Sequence, residues 1–132
     1  MITQAFDDAE LADAWVDGDP LLHWRSGKGH AADGSASSLL EVPPGCRLAR
    51  HTDSAEEVIV VLAGCARVTV GEETEEVSAG GVAVIPECVP HEVESFGDEA
   101  LRFAAIYAGT DVITTYETEI QPDGERERKP AG

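Results

Sequence analysis

The residues best suited to chemistry lie in two short stretches of the chain. The first runs Gly45-Cys46-Arg47-Leu48-Ala49-Arg50-His51-Thr52-Asp53-Ser54-Ala55-Glu56-Glu57 and closes at Gly64. Positions two apart share one face of a strand and point almost oppositely on a helix, so an extended backbone makes His51 and Asp53 neighbours. The small polar residues after Asp53 turn the chain, and Glu57 opens the next segment facing the same space. The second stretch, residues 80–91, is an apolar strand ending in the turn Pro86-Glu87-Cys88-Val89-Pro90, which delivers His91. Imidazole and carboxylate together suit Fe, Mn, Zn, Co or Ni, and two histidines with one carboxylate can form a facial triad with positions open to substrate or oxygen. Taken singly, each of these residues is more often a surface or hydrogen-bonded group, so the chemistry depends on their meeting.

Meeting requires strands that converge. From Ser37 onward, short β-branched segments alternate with turn residues, the pattern of an all-β domain. The expected strands are 37–42, 46–51, 57–62, 66–70, 73–77, 82–85, 91–96 and 101–107, separated by turns such as Pro43-Pro44-Gly45 and Ala79-Gly80-Gly81. That spacing, with no helical period long enough to cover a sheet, predicts a sandwich or a barrel. Residues 1–36 read as an irregular N-terminal segment packing on the barrel, with a helical turn within 8–16, a strand at 21–25 and a glycine-rich loop at 26–35. Residues 37–109 form the expected barrel core. Residues 110–120 alternate Val112, Thr114, Tyr116, Thr118 and Ile120 against polar and apolar partners, an expected edge strand, and 121–132 read as a flexible tail.

The two stretches resemble the motifs of the cupin family. Gly45, His51, Asp53, Glu57 and Gly64 match the first, G-x5-H-x-H-x3-E-x6-G, with Asp53 in place of the second histidine. Gly80, Pro86, Cys88, His91 and Ser95 match the second, G-x5-P-x-G-x2-H-x3-N, with Cys88 in place of glycine and Ser95 in place of asparagine. The 15 residues between Gly64 and Gly80 are a typical short inter-motif stretch. The resemblance covers residues 37–107 and implies an all-β, double-stranded β-helix or jelly-roll barrel, usually dimeric, holding a divalent metal. It implies ligands at His51, Glu57 and His91 and leaves Asp53 open. Either Asp53 completes a site of two histidines and two carboxylates whose charge balances M²⁺, or it is too short to reach the metal, or the barrel has lost metal altogether. A non-glycine at position 88 requires an altered backbone or costs about 1–2 kcal/mol if its φ is positive. Cys88 is expected to be structural, because a reactive thiol needs a stabilised thiolate and no basic neighbour is visible in sequence.

Composition narrows the partners. One domain accounts for 132 residues, and 26 acidic against 9 basic side chains give a net charge of −17, which repels nucleic acid and anionic membranes. The longest apolar run, 58–66, is nine residues, against the roughly 18 that span a bilayer. The opening residues carry no basic or apolar signal region, so a cytoplasmic location is expected. Cys46, Cys65 and Cys88 form no CxxC pair and are expected to be reduced and mostly buried. His23 and His30 lie outside both motifs and read as surface or structural residues, and the run Glu72-Glu73-Thr74-Glu75-Glu76 reads as a solvated hairpin.

Fold alone does not settle activity. The expectation is a metal-dependent enzyme of oxygenase, isomerase or decarboxylase type, acting on a small organic substrate, with His51, Asp53, Glu57 and His91 holding Fe, Mn, Zn or Ni. The alternative is a non-catalytic module binding metal or a small molecule. No catalytic group beyond the ligands stands out, since Arg47, Arg67, Arg102 and Tyr107 could each face into the barrel or outward. Edge strands and an apolar sheet face also call for a homodimer, in which 111–120 pairs with its own sheet or a partner's.

Overall fold

A computed structural model describes residues 1–130. After a short 3-10 turn at Phe6–Asp8, the regular structure is strand throughout: β1 (Ala12–Val16), β2 (Asp19–Ala31), β3 (Ala36–Val42), β4 (Arg47–Asp53), β5 (Glu57–Ala63), β6 (Cys65–Val70), β7 (Glu73–Ser78), β8 (Val82–Ile85), β9 (His91–Ser95), β10 (Leu101–Tyr107), β11 (Thr114–Ile120) and β12 (Glu125–Arg128). They form two facing layers, β1-β2-β3-β10-β5-β8 and β7-β6-β9-β4-β11-β12, joined by one parallel pair between Leu22 and Arg47. The result is the nearly closed, all-β barrel that the turn spacing predicts. Among the described residues no helix is long and apolar enough to cross a membrane.

The core arises from strand alternation. On β10, Leu101, Phe103, Ala105 and Tyr107 point inward, and β5 contributes Glu57, Ile59 and Val61. Inward residues are mostly apolar, with three buried serines, Ser37, Ser38 and Ser95, and the titratable ones, His51, Asp53, Glu57 and His91, gather in one place together with Thr114.

β4 breaks the alternation just before His51. Leu48 pairs with Val93 and His51 with His91, so three steps along β4 match two along β9. This is a β-bulge, an extra residue that kinks one strand and re-aims the side chains beyond it. Without it, a buried Leu48 would send Arg50 inward and His51 outward. With it, Arg50 stays at the surface beside Glu92 and Glu117, and His51 and Asp53 both turn into the barrel.

Four expectations need correction. The N-terminal segment is not irregular: β1 and β2 form a hairpin, and β2 runs on through residues 26–31 of the stretch expected to be a loop, leaving 32–35 as the turn into β3. Its glycines serve close approach rather than looseness. A Cβ at Gly27 would sit 2.5 Å from the Glu10 carbonyl oxygen, and one at Gly29 would overlap the Ser37 hydroxyl. The segment expected to be a tail is paired. Trp15 and Gln121 exchange backbone hydrogen bonds, and β12 pairs with β11, because a ladder of backbone bonds tolerates the charged sequence Glu125-Arg126-Glu127-Arg128; residues 131 and 132 lie outside the described residues. β11 is accordingly not an edge, since at Thr114 and Thr115 it lies between β4 and β12. The cysteines are free but not buried, Cys46 and Cys65 being half-buried and Cys88 exposed.

Candidate metal centre

Four side chains from three strands meet at one point. His51 and Asp53 lie on β4, His91 stands opposite His51 on β9, and Glu57 reaches across from β5 in the other layer. One donor atom from each lies within 4.8 Å of all the others, and all four residues are buried. His91 Nε2 is 3.1 Å from Glu57 Oε1 and 3.1 Å from Asp53 Oδ2, and His51 Nε2 is 3.7 Å from that same Asp53 oxygen.

Local backbone aims the rings. His51 Nδ1 bonds the Ala49 carbonyl at 2.6 Å, and His91 Nδ1 bonds the Val89 carbonyl at 2.9 Å, so in each ring Nδ1 carries the proton. A neutral imidazole donating from Nδ1 presents the Nε2 lone pair, here toward the carboxylates. Two nitrogen lone pairs and two carboxylates around one point repel unless a cation lies between them. Without such an ion the two carboxylates favour a proton on His91 Nε2, which lies within hydrogen-bond distance of Glu57 Oε1, while Asp53 Oδ2 is buried with no hydrogen-bond partner among the described residues.

Burial and mutual charge set how the four titrate. Burial lowers the pKa of His51 to about 4, helped by the nearby His91 and opposed by Asp53. Burial also works against charge on His91, but Asp53 and Glu57 outweigh it and push the ring up to about 10. Glu57 is raised to about 7, chiefly by burial and also by the Asp53 charge. Burial would raise Asp53 too, but His91, His51 and Thr114 hold it down to about 2.

The set fits a first-row divalent ion. Two imidazole nitrogens and two carboxylate oxygens are suitable donors, the two negative charges balance M²⁺, and the unpartnered Asp53 oxygen is already turned inward. Asp53, whose reach the sequence leaves open, points at the same spot as the histidines. Its other oxygen accepts from Thr114 Oγ1 at 2.5 Å. Thr114 is a site residue that the strand pattern puts on an alternating face but does not connect with Asp53.

A cavity of about 180 Å³ reaches this centre, walled by Ser38, Leu40, Leu48, Tyr107, Thr114 and Tyr116 among others. Tyr116 packs on His51 at a ring distance of 4.9 Å and stacks on the buried Trp24 at 5.6 Å. Tyr107 shares a hydrogen bond of 3.1 Å with Ser38. Burial raises the pKa of both tyrosines, so they stay protonated near neutral pH. Arg47, Arg67 and Arg102 face outward in ion pairs with Asp19, Glu92, Glu76, Glu94, Asp7 and Glu41. Of the four groups whose direction the sequence leaves open, only Tyr107 enters the barrel.

Residues 38–107 match the family described as the cupin domain. Among solved structures, oxalate decarboxylase from Bacillus subtilis is similar at 26% identity and a TM-score of 0.67, over 71% of this chain and 28% of that one. The formate complex of Lactobacillus farciminis oxalate decarboxylase aligns at 20% identity and a TM-score of 0.71, over 84% of this chain and 34% of that one. A conserved protein of unknown function from Streptococcus pyogenes aligns at 20% identity and a TM-score of 0.58, over 67% of this chain and 75% of that one. The chain thus spans about a third or less of the oxalate decarboxylases it resembles. No curated protein matches the sequence.

Proposed function

The chain belongs to the cupin domain family, and from that premise we propose that it is a metal-dependent enzyme acting on a small organic substrate, with His51, Asp53, Glu57 and His91 as the ligands of one Fe, Mn, Zn or Ni ion. The observation that carries this reading is the convergence of two Nε2 atoms, each aimed by a backbone carbonyl behind its ring, on two carboxylates, one with an unpartnered buried oxygen. Such an ion, when bound, supplies Lewis-acid polarisation of a substrate oxygen and, if it is Fe(II), oxygen activation.

The chain's own groups do the rest. Thr114 holds Asp53, and Leu40 and Leu48 shed water from the inner wall. Tyr107 and Tyr116 remain hydrogen-bond donors at neutral pH. Four protein donors leave at most about two of six positions free, and a substrate that binds through two oxygens would fill both and leave none for oxygen. This favours isomerase or decarboxylase chemistry over an oxygenase, and the 26% identity to an oxalate decarboxylase supports the same side.

Metal analysis of untagged protein, with turnover screening of enols, diketones, catechols and keto acids in the presence and absence of oxygen, tests the reading. Metal content should approach one ion per chain and collapse in a His51→Ala, His91→Ala double variant; equal content in both would overturn it. Beyond the ligands the cavity lining carries the hydroxyls of Ser26, Ser38, Tyr107, Thr114 and Tyr116 but no further carboxylate or imidazole among the described residues, which favours a second reading, a binding module without turnover. Tight binding of one compound with no turnover on any metal would decide for that module.

A further inference from the structure

Resting on the metal reading above and deepening it, we propose that the ligand of this cavity is a small carboxylate anion, attracted and oriented at the cavity mouth by Lys28 and Lys129. The chain holds 26 acidic and 9 basic side chains, so a cation without an acidic partner is unusual. Arg25, Arg47, Arg50, Arg67, Arg102 and Arg128 each pair with an Asp or Glu. Arg126 donates to the Tyr116 carbonyl at 3.1 Å. The two lysines of the chain are Lys28 and Lys129, and among the described residues neither makes an ion pair. Both line the cavity that His51 and Glu57 close at its inner end, although one comes from β2 and the other lies just beyond β12.

Arg128 lines the same mouth. Its Nη2 is anchored to the Ile120 carbonyl at 3.0 Å and to Asp123, while its Nε is buried and without a partner. Three cationic side chains therefore gather at the opening of one cavity in a strongly acidic protein.

Charge decides what such a mouth selects. With a divalent ion in place, Asp53 and Glu57 no longer leave the inner end negative, so an anion entering meets attraction from the lysines and no net repulsion beyond them. A cationic or neutral ligand gains nothing from two ammonium groups. The volume of about 180 Å³ is below the roughly 300–1,000 Å³ of pockets for drug-sized ligands, which restricts the anion to a small one. The lysines are exposed, so their pull is screened by salt.

The test is calorimetric titration of malonate, succinate and the neutral malonamide into Mn²⁺-loaded protein, for wild type and for a Lys28→Gln, Lys129→Gln double variant. Loss of two partly screened ion pairs should weaken dicarboxylate binding roughly tenfold and leave malonamide and Mn²⁺ affinity unchanged. In wild type, raising salt should shrink the preference for malonate over malonamide. Equal malonate and succinate affinity in wild type and variant would overturn the proposal, as would wild type binding neither dicarboxylate. If the protein takes up no Mn²⁺ or other first-row ion, the metal reading fails on its own account. The same titrations on metal-free protein then judge the lysines by the same criterion: a loss in the variant supports their role, and no loss overturns it.

Discussion

Replacing Thr114 with valine should weaken the metal centre without opening a hole beside it. The Thr114 hydroxyl donates to Asp53 Oδ1 at 2.5 Å, both residues are 3% exposed, and among the described residues it is the side-chain donor to that oxygen, His91 Nε2 lying instead 3.1 Å from Oδ2. Valine keeps the branched shape, so the loss is a hydrogen bond to a buried charged group, worth about 1.5–3 kcal/mol. Unfolding entropy near 2.1 cal/mol/K per residue makes about 0.28 kcal/mol/K for this chain length, so a loss of 2 kcal/mol lowers Tm by about 7 °C. The loss should also depend on pH. Asp53 has its folded pKa lowered to about 2 from an ordinary 3.8, so its favourable contribution is present above 3.8 and disappears as pH falls through 2. The deficit of Thr114→Val should therefore be full at pH 7 and shrink below pH 4. Partners that orient a metal ligand typically contribute 10–100-fold to affinity, so metal binding should weaken about tenfold, and Thr114→Ser should restore most of both losses. Urea unfolding of the metal-free protein at pH 7 and pH 3, with competition titration of Zn²⁺ or Mn²⁺, reads both effects. Stability within about 0.5 kcal/mol of wild type at pH 7, together with unchanged metal affinity, would refute the reasoning.

Cys88 has φ 61° and is exposed, so Cys88→Gly should relieve about 1–2 kcal/mol of backbone strain against about 0.5–1 kcal/mol of added freedom in the unfolded chain. A net gain of about 0.5–1 kcal/mol should appear as a higher urea midpoint, and a lower midpoint would contradict it. Because the carboxylates hold a proton on His91 up to about pH 10 in the metal-free site, a bound ion must displace it, and apparent metal affinity should climb about tenfold per pH unit from pH 7 to 9. An affinity that is flat above pH 7 would show that no such proton is held. For the homodimer expected from sequence we propose as interface the outer face of β5, β8 and β10, where Val82 and Val84 are 58% exposed, Leu62 49% and Ile106 37%. Solution mass should be twice that of one chain and fall to one chain with Val84→Glu, whereas a wild type of single-chain mass at micromolar concentration would remove the assignment.

Much of the candidate site is legible in the sequence alone, because its signals are local. A period of two puts His51 and Asp53 on one face, polar turn residues return Glu57, and Pro86 and Pro90 frame the turn that delivers His91. The strands from β3 to β10 are legible for the same reason, since alternation and turn chemistry are written within ten residues of each other. The bulge before His51 is not, because an extra residue in one strand exists only relative to its neighbour, here β9. Gly27 and Gly29 read as loop because glycine in sequence signals freedom, and only the packed backbones of Glu10 and Ser37 show it as a need for space. β12 reads as tail because its charged residues bury nothing, and the backbone ladder that orders them carries no side-chain signature. Thr114 lies 61 positions from Asp53, and Lys28 and Lys129 about 100 positions from each other. Local pattern sets which way a side chain faces along its own strand. Which distant side chain it then meets is set by barrel closure, through backbone hydrogen bonds that carry no side-chain identity, and that choice belongs to the tertiary structure alone.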